Sequence, residues 1–261
     1  MTDLRSQPPI LRVPGWEAIP NLVHGFCGRR GGVSRGAFAE FNLSGRAGDA
    51  ADSVQENWRR MTVAAGGLSF VTMVQVHGTR VVAVEDGADA GEADAMTTHA
   101  TGLLLSVLTA DCVPILLVAP AYHVVAAVHA GWRGTVGGIA ARTVLRLERS
   151  CGVKPEAISA ALGPAIGSCC SEVDGGIAAD LEQSWGEMPT AILRMRGAKP
   201  MLDLRRANAI LLARAGVPAS RITSVGPCTR CATADYFSHR GALHTASHAT
   251  GRQLSFIGWR A

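Results

Sequence analysis

Short apolar runs interrupted by small and polar residues dominate the chain. Two of them, Leu103–Leu108 and Val113–Val118, flank a polar cluster of Thr109, Asp111 and Cys112, and a third, His123–Val128, leads into His129, Ala130 and Gly131. Runs this short, rich in β-branched residues and bounded by turn signals, read as buried strands. Further strands are expected over 22–28, 157–162, 222–225 and 254–259. Alternation over 70–84 predicts another that breaks at His77-Gly78, which puts His77 at a turn or bulge.

Apolar spacings of three and four predict helices over 52–65, 135–150, 174–185 and 203–215. Asp52 is placed as the N-cap of the first. In the second, Ile139, Thr143 and Leu147 share a face, while Arg142, Arg146 and Arg149 form a solvated one. Strands and helices alternate without the regular βαβ beat of a parallel sheet. The expected architecture is therefore α/β (α+β), with mixed β-sheets in a sandwich and helices packed outside. No repeat or Pro-, Gly- or Ser-rich linker divides the sequence, so residues 1–261 read as a single domain.

Composition narrows the choice of partners. A hydrophobic content of 48% against 18% charged residues excludes a disordered chain. The net charge of +4 is spread along the sequence, and only 5% of residues are aromatic, so no nucleic-acid surface is expected. No apolar run is long enough to cross a membrane, and the start MTDLRSQPPILRVPGW lacks the form of a secretion signal. Seven cysteines without such a signal suggest reduced thiols in a cytoplasm. The single C-x-x-C, Cys228–Cys231, has no second pair to match it, so a closed four-sulfur zinc knot is not expected.

Candidate chemistry gathers where the strands end. Cys112 and His129 are the sharpest pair, because thiolate and imidazole both bind zinc or copper. His77, which also precedes a glycine at a break in an apolar strand, is the best third candidate. Three protein ligands leave a coordination position for water. The same residues also suit a metal-free Cys–His nucleophile pair, and Cys112 equally suits an inert buried thiol. Asp111 is read either as orienting a ligand histidine or as capping its turn. Trp132 and Arg133 either line a pocket or belong to the core and its edge. The loop Arg29–Ser34, with adjacent glycines, turns the chain or holds an anion.

Thr109-Ala110-Asp111-Cys112-Val113-Pro114, followed by His129-Ala130-Gly131-Trp132-Arg133-Gly134-Thr135, resembles the YfiH family. Its members have been called multicopper polyphenol oxidases (laccases), purine nucleoside phosphorylases and peptidoglycan editing factors. The similarity runs over nearly the whole chain. It takes in Arg29 with Gly31–Ser34, Asn42–Ser44, Gln75–Gly78, Glu92–Ala95, Gly163–Gly167, Cys169-Cys170, Phe237–Arg240 and Thr250–Arg252. The resemblance implies an α/β sandwich related to a Cys–His toxin deamidase, or cysteine hydrolase, fold. It also implies zinc held by His77, Cys112 and His129.

By the same resemblance the substrates are purine nucleosides and phosphate. The implied reactions are phosphorolysis of adenosine, inosine and methylthioadenosine, and deamination of adenosine. Arg29, Asn42, Gln75 and Arg240 stand at motif positions suited to substrate binding. The chain departs from the family's common pattern at Ser171 and Gly241, which bears on substrate choice. Three other readings stand beside this one: an amidase acting on a mis-assembled peptidoglycan precursor, a copper phenol oxidase, and a non-enzymatic module with structural zinc closed by His239 or Cys228.

Overall fold

Two mixed sheets carry the apolar runs, and the computed structural model describes them within residues 8–185 and 192–261. The first half of the chain forms β1 (Ile10–Leu11), β2 (Leu22–Cys27), α1 (Ala51–Ala64), β3 (Ser69–Val71), β4 (Val81–Ala83), β5 (Ala95–Thr98), β6 (Leu103–Thr109), β7 (Val113–Ala119) and β8 (Val124–Ala130). The second half forms α2 (Trp132–Val136), α3 (Ile139–Cys151), β9 (Ser159–Leu162), α4 (Gly175–Trp185), β10 (Leu193–Arg196), β11 (Lys199–Leu202), α5 (Leu204–Arg214), β12 (Ile222–Ser224), α6 (His239–Ala242) and β13 (Gln253–Trp259). One sheet has the order β1-β2-β13-β6-β3 and the other β12-β9-β7-β8-β5-β4, while β10 and β11 form a separate ribbon. Pairing is antiparallel except at β3–β6, β4–β5 and β9–β12.

Side-chain alternation along the central strands explains their unbroken apolar character. In β7, Leu116 and Val118 face the other sheet and meet Leu105, Val107 and Ile257. Ile115 and Leu117 point the opposite way, onto Val144 and Leu147 of α3 and Leu211 and Leu212 of α5. Beyond the five-stranded sheet, Leu104 and Phe256 pack against Met61 of α1. The layers run helix, sheet, sheet, helices, as the sandwich expectation has it. With both faces of β7 covered, every position in it is buried. Each such Leu or Ile contributes roughly 2 kcal/mol by leaving water.

Four local expectations differ from what forms. The segment 70–84 is not one strand: β3 and β4 are short, and the backbone between them turns its amides to a carboxylate instead of a neighbouring strand. The helix expected over 135–150 is broken at Gly137-Gly138, because Gly138 takes φ +76° and a side chain on Gly137 would strike Thr79. Ala50, not Asp52, is the N-cap of α1, and Asp52 lies in its first turn. The third apolar run begins one residue late, with His123 in the left-handed region and His129 inside β8. The Arg29–Ser34 loop is a turn whose Gly31 amide donates to the Glu40 carboxylate.

Candidate active site

The β7–β8 ladder places the first two candidate residues. Pro114 pairs with His129 and Val113 with Ala130, so Cys112, one residue before β7, sits at the same end of the sheet as His129. The turn that delivers Cys112 needs Asp111 at φ +89°, a conformation asparagine-like side chains tolerate best. His77 comes from the loop between β3 and β4, also at positive φ (59°). The ligand atoms of His77, Cys112 and His129 all lie within 4.8 Å of one another. Their rings and sulfur leave no room for a side chain on Gly131, whose Cβ would stand 2.6 Å from His77 Nδ1 and 3.2 Å from Cys112 Sγ.

Asp94 organises this cluster, and sequence reasoning gave it no role. It is fully buried, immediately before β5. Its Oδ1 accepts from His129 Nδ1 at 2.8 Å and from the His77 amide at 3.0 Å. Its Oδ2 accepts from the Gly78 amide at 2.6 Å and the Val76 amide at 3.3 Å. One carboxylate therefore orients the His129 ring, leaving Nε2 for the site, and holds the loop that carries His77. Its only trace in the sequence is an acidic residue among small ones in the Glu92–Ala95 motif.

Electrostatics follow from this packing. Burial works against a charge on Asp94, but hydrogen bonds from His129, Gly78 and His77 hold its carboxyl below the usual range. Burial also opposes ionisation of Cys112, yet the charge and hydrogen bonds of His129, with a further bond from His77, bring its thiol down to about 6. Burial disfavours a charged His129, while the Cys112 charge and the bond to Asp94 raise it to about 9. A nearly ionised thiol between two imidazoles is the donor set a borderline-soft cation such as zinc takes. The three residues would fit such an ion.

The cluster lies in a cavity of about 900 Å³, whose walls include Met73, Val74, Ile166, Trp132, Arg133 and Arg252. Trp132 and Arg133 thus line the pocket, with the Arg133 guanidinium 4.3 Å above the Trp132 ring. Asp111 makes no hydrogen bond to either histidine. It accepts from Thr229 Oγ1 and from the Arg240 amide, each at 2.6 Å, and so ties distant loops to the Cys112 turn.

The four substrate-binding candidates fall in different places. Gln75 lines the cavity, but its amide both donates to and accepts from the Leu108 backbone at 2.8 Å. Arg240 also lines it, with its guanidinium on the Cys170 and Glu172 carbonyls. Asn42 is buried outside the cavity wall, bonded to Ser44, Asp49 and the Arg252 amide. Arg29 is remote from the cluster: it binds the Ala39 and Thr233 carbonyls, lies over Phe237 and edges a separate, smaller cavity. Arg252 is the cation that sequence reasoning passed over. Burial lowers its pKa, against the opposing pull of Cys112 and Asp111.

A second cluster overturns an expectation. The structure brings Cys169 and Cys170 onto Cys228 and Cys231, with all four sulfurs within 4.8 Å of one another. The partner for the single C-x-x-C is a vicinal pair, a spacing the usual two-by-two pattern does not include. Cys228 belongs there and not to the histidine site. Among the described residues His77, Cys112 and His129 have no fourth His, Cys, Asp or Glu ligand.

Comparison with known proteins identifies relatives over nearly the whole chain. No helix among the described residues is long and apolar enough to cross a membrane. Residues 23–260 match the family model described as "Multi-copper polyphenol oxidoreductase laccase". A relative from Geobacillus stearothermophilus, named purine nucleoside phosphorylase YlmD, is 39% identical, with 94% of this chain and 93% of the relative covered. Adenosine deaminase RL5, from an unknown prokaryotic organism, is 36% identical, with 84% and 88% covered. The crystal structure of Bacillus licheniformis hypothetical protein YfiH superposes with a TM-score of 0.89 at 30% identity, with 97% of each chain covered. By sequence and by fold, the chain belongs to the YfiH family.

Proposed function

We propose that this chain is a zinc-dependent purine nucleoside phosphorylase, acting on adenosine, inosine and methylthioadenosine, with adenosine deaminase activity. The observation that carries the reading is the His77/Cys112/His129 set, backed by Asp94, on the wall of a cavity large enough to admit a nucleoside. The relatives' names support it. When bound, zinc supplies Lewis acidity and makes water nucleophilic at neutral pH. Zinc fits better than a multicopper centre, which draws on many more histidines than the three-residue set offers.

The chain's own residues supply the rest. Asp94 keeps His129 in one tautomer and holds the His77 loop in register. Met73, Val74 and Ile166 offer an apolar wall to a purine and exclude water from one face. Arg133 and Arg252 bring positive charge for phosphate, whose oxygen forms a bond to the ribosyl carbon as the bond to the purine nitrogen breaks. Arg240, already bound to two carbonyls, shapes the wall. In deamination, water adds to the purine carbon that bears the amino group and ammonia leaves.

Wild-type and Cys112→Ala proteins incubated with adenosine, with and without phosphate, test the reading. Wild type should give adenine with phosphate and inosine without it. Cys112→Ala should give neither while retaining its circular dichroism. Full activity in the folded variant would refute the proposal. The Cys112–His129–Asp94 line favours one second reading, an amidase with Cys112 as nucleophile and His129 as base. Amide hydrolysis that survives complete removal of metal, with no turnover of nucleosides, would select it.

A further inference from the structure

The four-cysteine cluster is the strongest feature that the proposed reaction leaves unused. Cys231 Sγ lies 3.6 Å from Cys169 Sγ and 3.5 Å from Cys170 Sγ, and the Gly167 amide donates to Cys228 Sγ at 3.2 Å. Zinc–thiolate bonds of about 2.3 Å place the corners of a tetrahedron about 3.8 Å apart. The two Cys231 separations are thus already close to the edges of a tetrathiolate site, and all four sulfurs lie within 4.8 Å of one another. A single disulfide would engage Cys231 with one neighbour and strand the other at the same distance. Gly167 packs closely here: a Cβ would come 3.3 Å from both Cys169 Sγ and Cys228 Cβ, a tight contact. The amide-to-sulfur bond is the kind that stabilises a metal-bound thiolate.

We infer that Cys169, Cys170, Cys228 and Cys231 bind a second, structural zinc ion that clasps one wall of the active cavity. Four thiols lose their protons to solvent as the ion binds, and no electron moves. The resulting double negative charge has counter-charge nearby, because Arg196 donates to the Cys169 carbonyl and Arg240 to that of Cys170. Two sequence-distant loops meet at the cluster. Ala165 and Cys228 form a β-bridge, and the Thr229 amide donates to the Ala165 carbonyl at 3.1 Å.

Both loops converge on Asp111, beside Cys112. The Ile166 amide donates to its carbonyl at 3.0 Å, and Thr229 Oγ1 to its carboxylate. The cross-link therefore braces the residue that positions the catalytic thiol. Four closed protein ligands leave no place for water, which makes the ion structural.

The test counts metal in protein purified under reducing conditions. Wild type should carry two zinc ions per chain, Cys112→Ala one, and Cys112→Ala/Cys231→Ser none. X-ray absorption at the zinc edge of Cys112→Ala should show four sulfur neighbours and no nitrogen, a readout that needs no variant of the cluster itself. Chelation should lower the melting temperature of Cys112→Ala and leave that of the Cys231→Ser double variant unmoved. A folded, reduced Cys112→Ala protein free of zinc after supplementation would overturn the inference. So would a zinc edge that shows nitrogen or water ligands, or a Cys231 disulfide to Cys169 or Cys170 in the reduced preparation.

Discussion

Asp94→Asn is the substitution that most sharply tests how the site is assembled. The side chain keeps its volume, but one oxygen becomes an NH₂ facing groups that donate. If the amide oxygen stays at the Oδ1 position, it keeps His129 Nδ1 and the His77 amide, and its NH₂ meets the Gly78 and Val76 amides. Turned the other way, it keeps the loop amides, and its NH₂ meets the His77 amide and His129. That drives the His129 proton to Nε2, the atom needed at the site. Either orientation leaves buried donors unpaired, at about 1–3 kcal/mol each. Lost support behind a ligand histidine typically lowers metal affinity about 10- to 100-fold. Zinc affinity should be measured by competition with a chromophoric chelator, alongside thermal unfolding of metal-free protein. The expected result is weaker zinc binding and a lower melting temperature together. Unchanged zinc affinity in a folded Asp94→Asn protein would refute the role assigned to this carboxylate.

Other expectations follow from single contacts. Gly131→Ala places a methyl against His77 Nδ1 and Cys112 Sγ at an ordinary φ of −74°; chelator competition should show loss of zinc, while metal-free stability is kept. Asn57→Ala removes bonds to the Val33 amide, Ser34 Oγ and the Asn42 carbonyl; unfolding should show a loss of about 2–4 kcal/mol, with activity per folded molecule unchanged. In metal-free protein the Cys112–His129 pair holds one proton from about pH 6 to about pH 9, because the thiol is lowered and the imidazole raised. Ligation removes that proton, so zinc affinity should rise about tenfold per pH unit across this window and level off above it. Calorimetry in buffers of different ionisation enthalpy should find one proton released near pH 7.5, and none released would contradict the assignment.

The parts of the site visible in the sequence are those attached to regular elements. Cys112 and His129 stand at ends of continuous apolar strands, and the β7–β8 register then brings them together. His77 was marked by the break before Gly78, although the strand expected around it gives way to a loop. Asp94 escaped because a lone carboxylate in a short run has no periodicity to betray its partners. The thiol cluster escaped for a related reason. Its halves are about sixty residues apart, and they meet through tertiary contacts such as the Ala165–Cys228 bridge, which no local pattern announces. Arg29 shows the converse failing. A family motif marks a residue as retained without separating those that touch substrate from those that hold loops. Its guanidinium is bound by two backbone carbonyls and an aromatic face.

The site is therefore assembled from unequal supports. His129 and Cys112 are carried by a ladder buried on both sides, so their positions are secured by the core itself. His77 is exposed, on a loop at positive φ, and its register depends on amide bonds to Asp94. Asp94 in turn is anchored by its own backbone, whose carbonyl accepts the His129 amide at 2.8 Å and whose amide donates to Arg80. Asp94, just before β5, thus holds His129 through its ring and through its main chain, and holds the neighbouring His77 loop as well. Asp111 performs the corresponding service on the opposite side of Cys112, where Thr229 and Arg240 reach its carboxylate. Two buried carboxylates, neither of them among the three candidate ligand residues, hold a rigid strand pair and a loop together as one three-residue cluster. A change at either should alter ligand geometry before it alters the fold, since the sheet packing that carries most of the apolar burial does not pass through them.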